Sequence, residues 1–166
     1  MKISEKQLYQ IISESIKKIL KENLSSNIYR IDGCTFGEDD DEAQISVAEP
    51  VCILSDENFV MDEGGDVEAI IVNGKEYGFD NFADSDTGAI GFFDAQPGDM
   101  VFQADDVFVI YRKSNRIAAW SNNGEFFAFS GFGTKEQLIR ELKLFIEQGY
   151  DDPWIANAIQ QLTTLN

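Results

Sequence analysis

The hydrophobic pattern of this chain changes period once, near Thr134. Ahead of that point short apolar runs alternate with polar residues and are separated by turn formers. Beyond it large aliphatic residues recur every three or four positions. A period of two places side chains on opposite faces of a strand, whereas a period of about 3.6 gathers them on one face of a helix. Strands grouped first and helices afterwards imply a mainly antiparallel sheet, open or closed as a small barrel, with two C-terminal helices on one side. The expected class is α+β.

The clearest hairpin is VEAIIVNGKEYGF, where Asn73-Gly74 supplies the two positive-φ residues of a type I′ turn. IYRID begins a strand, and GCTFGEDDDE after it reads as an acidic loop. AQISVAEPVCIL alternates as a strand in which Pro50 marks an edge or a bulge. DEGGD is a turn. Residues 80–99 read as loop with a short strand at AIGFF, and Pro97-Gly98 makes a type I or II turn between strands. DVFVIYR and RIAAWS are strands flanking KSN, and WSNNGEFFAFS closes a further hairpin at Asn122–Gly124.

In the helical part, Thr134 and Gln137 stand at capping-box spacing. Leu138, Ile139, Leu142, Phe145 and Ile146 form a stripe that Gly149 ends. Asp152 then serves as N-cap with Pro153 at the first helical position, and Trp154, Ile155, Ala158, Ile159 and Leu162 share a face.

A further helix stands at the N-terminal side, in ISEKQLYQIISESIKKILKEN. Ser4 and Gln7 have capping-box spacing, and Ile3 and Leu8 that of a hydrophobic staple. Leu8, Ile11, Ile12, Ile16, Ile19 and Leu20 make one broad apolar face. Glu14, Lys17, Lys18 and Lys21 occupy the other side, with the lysines gathered where the helix dipole favours cations. Such a face needs a partner. It can fold back on its own domain, self-associate as a short coiled coil, or seat in a groove on another protein. Polar residues interrupt every apolar run, against a secretory signal or a transmembrane span. Three glutamates and the lack of Trp or Phe anchors argue against a helix lying on a membrane.

The string ISEKQLYQIISESIKKIL resembles a leader found on uncharacterised proteins of gut Bacteroidales and their tailed phages, including the crAss-like group. The shared shape is a Ser/Thr-Glu cap, a Leu, an Ile-Ile or Ile-Val pair, then Glu-Ser-hydrophobic-Lys. The resemblance covers only this leader, which precedes unlike domains. It implies a common receptor such as a virion component or an assembly factor. The expected organisation is a docking helix at 1–24, with Leu8, Ile11, Ile12, Ile16, Ile19 and Leu20 as its contacts, joined to one acidic α+β domain at 25–166.

The 166 residues carry a formal charge of −17, spread unevenly. Residues 1–24 hold five lysines against three glutamates, while residues 32–106 hold 21 carboxylates against Lys75 alone. Nucleic acid is a poor partner for that middle, since phosphates need clustered cations, and no direct nucleic-acid binding is expected. A basic protein or a divalent cation suits it better. Cys34 and Cys52 lack zinc spacing and read as reduced thiols in a cytoplasmic setting, while the resemblance of the leader implies a virion-associated one.

Histidine is absent from the sequence. That removes Ser-His and Cys-His nucleophile pairs and histidine general bases. QPGDMVF followed by VFVIY has the cadence of a segment in NlpC/P60 peptidases, but the catalytic histidine of that family has no counterpart here. Carboxylates around Cys34 disfavour a thiolate. Asp84, Asp86 and Gly88, with Asp80 and Asp94 nearby, echo the start of a calcium loop. Gly88 stands where the EF-hand pattern needs an oxygen ligand, so the match fails. No cofactor is implied. The expectation is a non-enzymatic interaction or structural protein. Readings of other classes are an acidic inhibitor, such as a nuclease immunity protein or DNA mimic, and a histidine-free enzyme using carboxylates or a metal.

Overall fold

Nine strands and three α-helices make up the described chain, with every pairing between those strands antiparallel. The structure is a computed structural model describing residues 2–23, 27–37, 42–83, 89–112, 118–123 and 126–165. The side chains of residues 16, 17, 19–23, 33, 118–123 and 126–128 also lie outside the description. The α+β class follows directly: one helix precedes the strands and two helices follow them in the described chain. These elements divide into two compact units.

The first unit contains α1 (Glu5–Asn23), the second half of β2 (Gln44–Ile53), β3 (Phe59–Met61), β4 (Val67–Val72), β5 (Lys75–Tyr77), β6 (Met100–Ala104) and β7 (Val107–Tyr111). Strands β3, β4 and β5 form a three-stranded sheet. Asn73 and Gly74 adopt φ of 52° and 80°, the left-handed pair that the β4–β5 turn requires. An irregularity in the β3–β4 pairing between Val67 and Ala69 breaks simple alternation, and Val67, Ile70 and Val72 all enter a core shared with Val101 of β6 and Ile110 of β7. Burying five such aliphatic side chains, at about 1.5–3 kcal/mol each, is what holds the layers of this unit together.

The second unit contains β1 (Ile28–Phe36), the first half of β2, β8 (Ala118–Asn123), β9 (Phe126–Thr134), α2 (Lys135–Glu147) and α3 (Pro153–Thr164). The Thr134 hydroxyl accepts the Gln137 N–H at 3.3 Å, and Gln137 Oε1 accepts the Thr134 N–H at 3.0 Å, completing the capping box of α2. Leu138, Leu142 and Phe145 then pack with Trp154 and Ile155 of α3 on the β1–β9 face. Trp154 stacks on Phe129 with centroids 5.7 Å apart. Gly149 closes α2 at φ 97°. Asp152 precedes Pro153 at the start of α3, but its carboxylate accepts the Gly37 N–H instead of capping its own helix. Asn157 and Gln161 anchor α3 further, taking the N–H and C=O of Ala43 at 2.9 and 2.8 Å.

Several local expectations are corrected. GCTF belongs to β1, because a register shift between Ile31 and Cys34 restores alternation and turns Cys34 and Phe36 to the core. The acidic run that follows lies largely outside the described residues. For Pro50 the bulge is the alternative that holds: it pairs with Phe102 of β6 where the register shifts before Cys52. AIGFF forms no strand: Ile90 makes a single bridge to Ile110, and Phe92–Asp94 is a 3₁₀ turn. Pro97-Gly98 makes a type II turn, with Gly98 at φ 95°, but it joins that 3₁₀ segment to β6 and does not link two strands. On α2, Ile146 is half exposed, since the sheet and α3 cover only the strip of Leu138, Leu142 and Phe145. KSN and the reversal between β8 and β9 at 124–125 lie outside the described residues.

Candidate docking surface

Helix α1 begins as its local chemistry dictates. The Ser4 hydroxyl accepts the Gln7 N–H at 3.2 Å and Gln7 Oε1 accepts the Ser4 N–H at 2.9 Å. Within its own unit, α1 turns one side towards the β4–β5 hairpin. There Lys6, Tyr9, Gln10 and Ser13 face Asn73 and Gly74 across an open cleft of ≈ 760 Å³. Those helix positions lie on the polar side. Leu8, Ile11 and Ile12 lie roughly 140° round the helix, by the 100° per residue of α-helical geometry. They remain 50 %, 50 % and 46 % exposed. Ile16, Ile19 and Leu20 belong to the same sequence stripe, but their side chains lie outside the described residues. The half of the stripe that is described is therefore uncovered by its own unit.

The acidic middle divides between a structural carboxylate and surface ones. Asp99 is buried, and Arg112 donates to it through Nε at 2.7 Å and Nη2 at 2.8 Å. The Gln96 N–H completes its shell at 2.8 Å. Hydrogen bonding to Asp99, ahead of its Coulombic attraction, raises the Arg112 pKa. Asp80 and Asp94 are exposed, and Asp84 and Asp86 lie outside the described residues. Among the described residues no group of three or more carboxylates or thiols is placed to hold a metal ion. Cys34 and Cys52 are both buried and unlinked, and burial pushes the Cys52 thiol up to about 11. Neither is placed as a nucleophile.

A second exposed apolar feature escapes periodicity arguments. Phe79 and Phe93 are 48 % and 62 % exposed and stack on each other, 5.6 Å between centroids and 16° between planes. Both sit in 3₁₀ turns, Phe79–Asn81 and Phe92–Asp94. Each turn follows a glycine and carries an aspartate, and this repeated Gly-Phe…Asp signature in polar loops is the available sequence signal.

No described helix is long and apolar enough to cross a membrane. Comparison of the chain with family models, curated proteins and solved structures returned no match.

Proposed function

We propose that this chain is a non-enzymatic interaction or structural protein, and that α1 is the helix by which it docks onto a protein partner. The observation carrying this reading is the orientation of α1. Its polar side faces the Asn73–Gly74 turn, while Leu8, Ile11 and Ile12 stay about half exposed. An amphipathic helix seated in a groove is recognised through residues at such spacings, and only the seating removes them from water. The likeness of the leader to those of Bacteroidales and tailed-phage proteins supports an assembly or virion setting. The Ile12→Asp variant tests the reading. It should keep the wild-type circular dichroism spectrum and melting temperature while losing the partner that co-purifies with the wild-type protein. Loss of fold in that variant would place the stripe in a core and end the docking reading.

A further inference from the structure

Asn73 and Gly74 are both exposed at the tip of the β4–β5 hairpin. An asparagine followed by glycine carries its own electrophile and nucleophile. The Gly74 amide nitrogen can close a five-membered ring on Asn73 Cγ, because glycine has no side chain to crowd the approach. In the folded turn this closure is held off, since the two residues are fixed at φ of 52° and 80°. The tip must first swing open, and its surroundings make that opening easy. Strand β5 is a three-residue edge strand, joined to β4 by the pairs Ile70–Tyr77, Ile71–Glu76 and Val72–Lys75. The Gly74 nitrogen stands beyond the outermost of those pairs, and Lys75 and Glu76 are themselves exposed. Edge elements with few buried contacts open locally far more often than a domain unfolds.

We propose that Asn73 is a self-modification site: the chain deamidates there, and the product loosens the seat of α1 on the hairpin. The Gly74 nitrogen gives its proton to solvent base and bonds to Asn73 Cγ. The Cγ–Nδ2 bond then breaks and Nδ2 leaves as ammonia. Water opens the resulting succinimide at either carbonyl, to aspartate or to isoaspartate. Each event thus consumes one water and releases one ammonia. Either product places a carboxylate where the amide stood. Asn73 faces α1 across the open cleft, whose helix side holds Glu5 and Glu14 with Lys6 as the cation among them. Two carboxylates against one ammonium become three against one, and the added repulsion opposes the contact. Isoaspartate also lengthens the main chain of a turn built for two residues. The inference concerns the polar side of α1 and is independent of what its apolar stripe binds.

Peptide mass spectrometry of the full chain, held for days at mildly alkaline pH, tests the site. The peptide containing Asn73 should gain the amide-to-acid mass difference and separate into aspartyl and isoaspartyl forms. Its rate should rise with pH, because the attacking amide must lose a proton. Asn123-Gly124 is the other such pair in the sequence, so the gain must be localised. A folded chain that keeps the Asn73 amide, over a period in which the urea-unfolded chain loses it, overturns the proposal. Hydrogen exchange of the α1 amides, Glu5–Asn23, reads the consequence. In Asn73→Asp they should exchange about two- to five-fold faster than in fresh wild type, the range that exposed charge pairs span. The difference should shrink at high salt. Asn73→Gly keeps a turn of the same hand without the amide, and should exchange like wild type. Unchanged exchange in Asn73→Asp overturns the effect on α1. Equal acceleration in Asn73→Gly also overturns it, as the mark of a disturbed turn and not of charge.

Discussion

Arg112 grips both carboxylate oxygens of Asp99, Nε at 2.7 Å from Oδ1 and Nη2 at 2.8 Å from Oδ2. The same Asp99 accepts the Gln96 N–H, and its backbone carbonyl accepts the Leu54 N–H at 2.8 Å. One ion pair thus ties the type II turn to the ends of β2 and β7. Removing the guanidinium leaves a carboxylate that is only 3 % exposed with a single N–H donor. Arg112→Ala should therefore cost about 2–4 kcal/mol, below the full penalty for a buried pair because Arg112 itself reaches solvent. Asp99→Asn keeps an acceptor without the charge and should cost less. Urea midpoints measure both, and an unshifted midpoint for Arg112→Ala would contradict the structural role.

Gly131 is where β9 lets α2 approach. A Cβ there would lie 2.8 Å from Leu138 Cδ2 and 2.9 Å from Phe129 Cζ, both on fully buried side chains. Both neighbours belong to the same buried core cluster, so other buried side chains must move with them. Gly131→Ala should destabilise by about 1–3 kcal/mol, the range for overpacking, despite the usual gain in strand propensity. A denaturant midpoint at or above wild type would mean that the helix can shift outward without loss.

The Cys52 thiol gives a pH signature. Burial raises its pKa from 9.0 to about 11. The folded state thus disfavours the thiolate. The stability this group contributes is fully present below pH 9 and is lost as the pH rises towards 11. Melting temperatures of the wild type and of Cys52→Val should be compared from pH 8 to 10.5. The wild type is expected to fall more steeply across that window, and parallel curves would refute the assignment.

Crowded carboxylates should make salt stabilising. Residues 32–106 carry 21 acids against one lysine, so screening relieves repulsion within the fold. The melting temperature near neutral pH should rise from low to moderate salt at a protein concentration where the chain is monomeric. A fall would show the acids already compensated by cations.

What the sequence makes legible is what local chemistry decides. The Asn73-Gly74 turn and the boxes at Ser4/Gln7 and Thr134/Gln137 each depend on residues at most three positions apart, and each stands as expected. Elements set by distant contacts are harder to read. Strand β1 continues past Asp32 only because a bulge restores its pairing with β9. Asp99 finds Arg112 through the β6–β7 hairpin, whose register no local pattern specifies. For the docking surface, the helix and its stripe are readable from spacing alone. The direction in which that stripe faces is not, because it depends on which side of α1 meets the β4–β5 turn. The Phe79–Phe93 stack is hidden for a related reason: its two turns lie apart in sequence and follow no strand or helix period.

The central claim is that α1 serves binding and not the core, and removing residues 1–24 tests it most directly. The melting midpoint of the truncated chain should be measured by far-ultraviolet circular dichroism at low protein concentration, beside that of the full chain. A docking helix predicts a midpoint within ~4 °C of the full chain, equivalent to about 1 kcal/mol or less. If the six aliphatic residues of the stripe were packed in the core, each would contribute about 1.5–3 kcal/mol on burial, a sum comparable to the whole net stability of a domain. A truncated chain that melts tens of degrees lower, or shows no cooperative transition, would contradict the account.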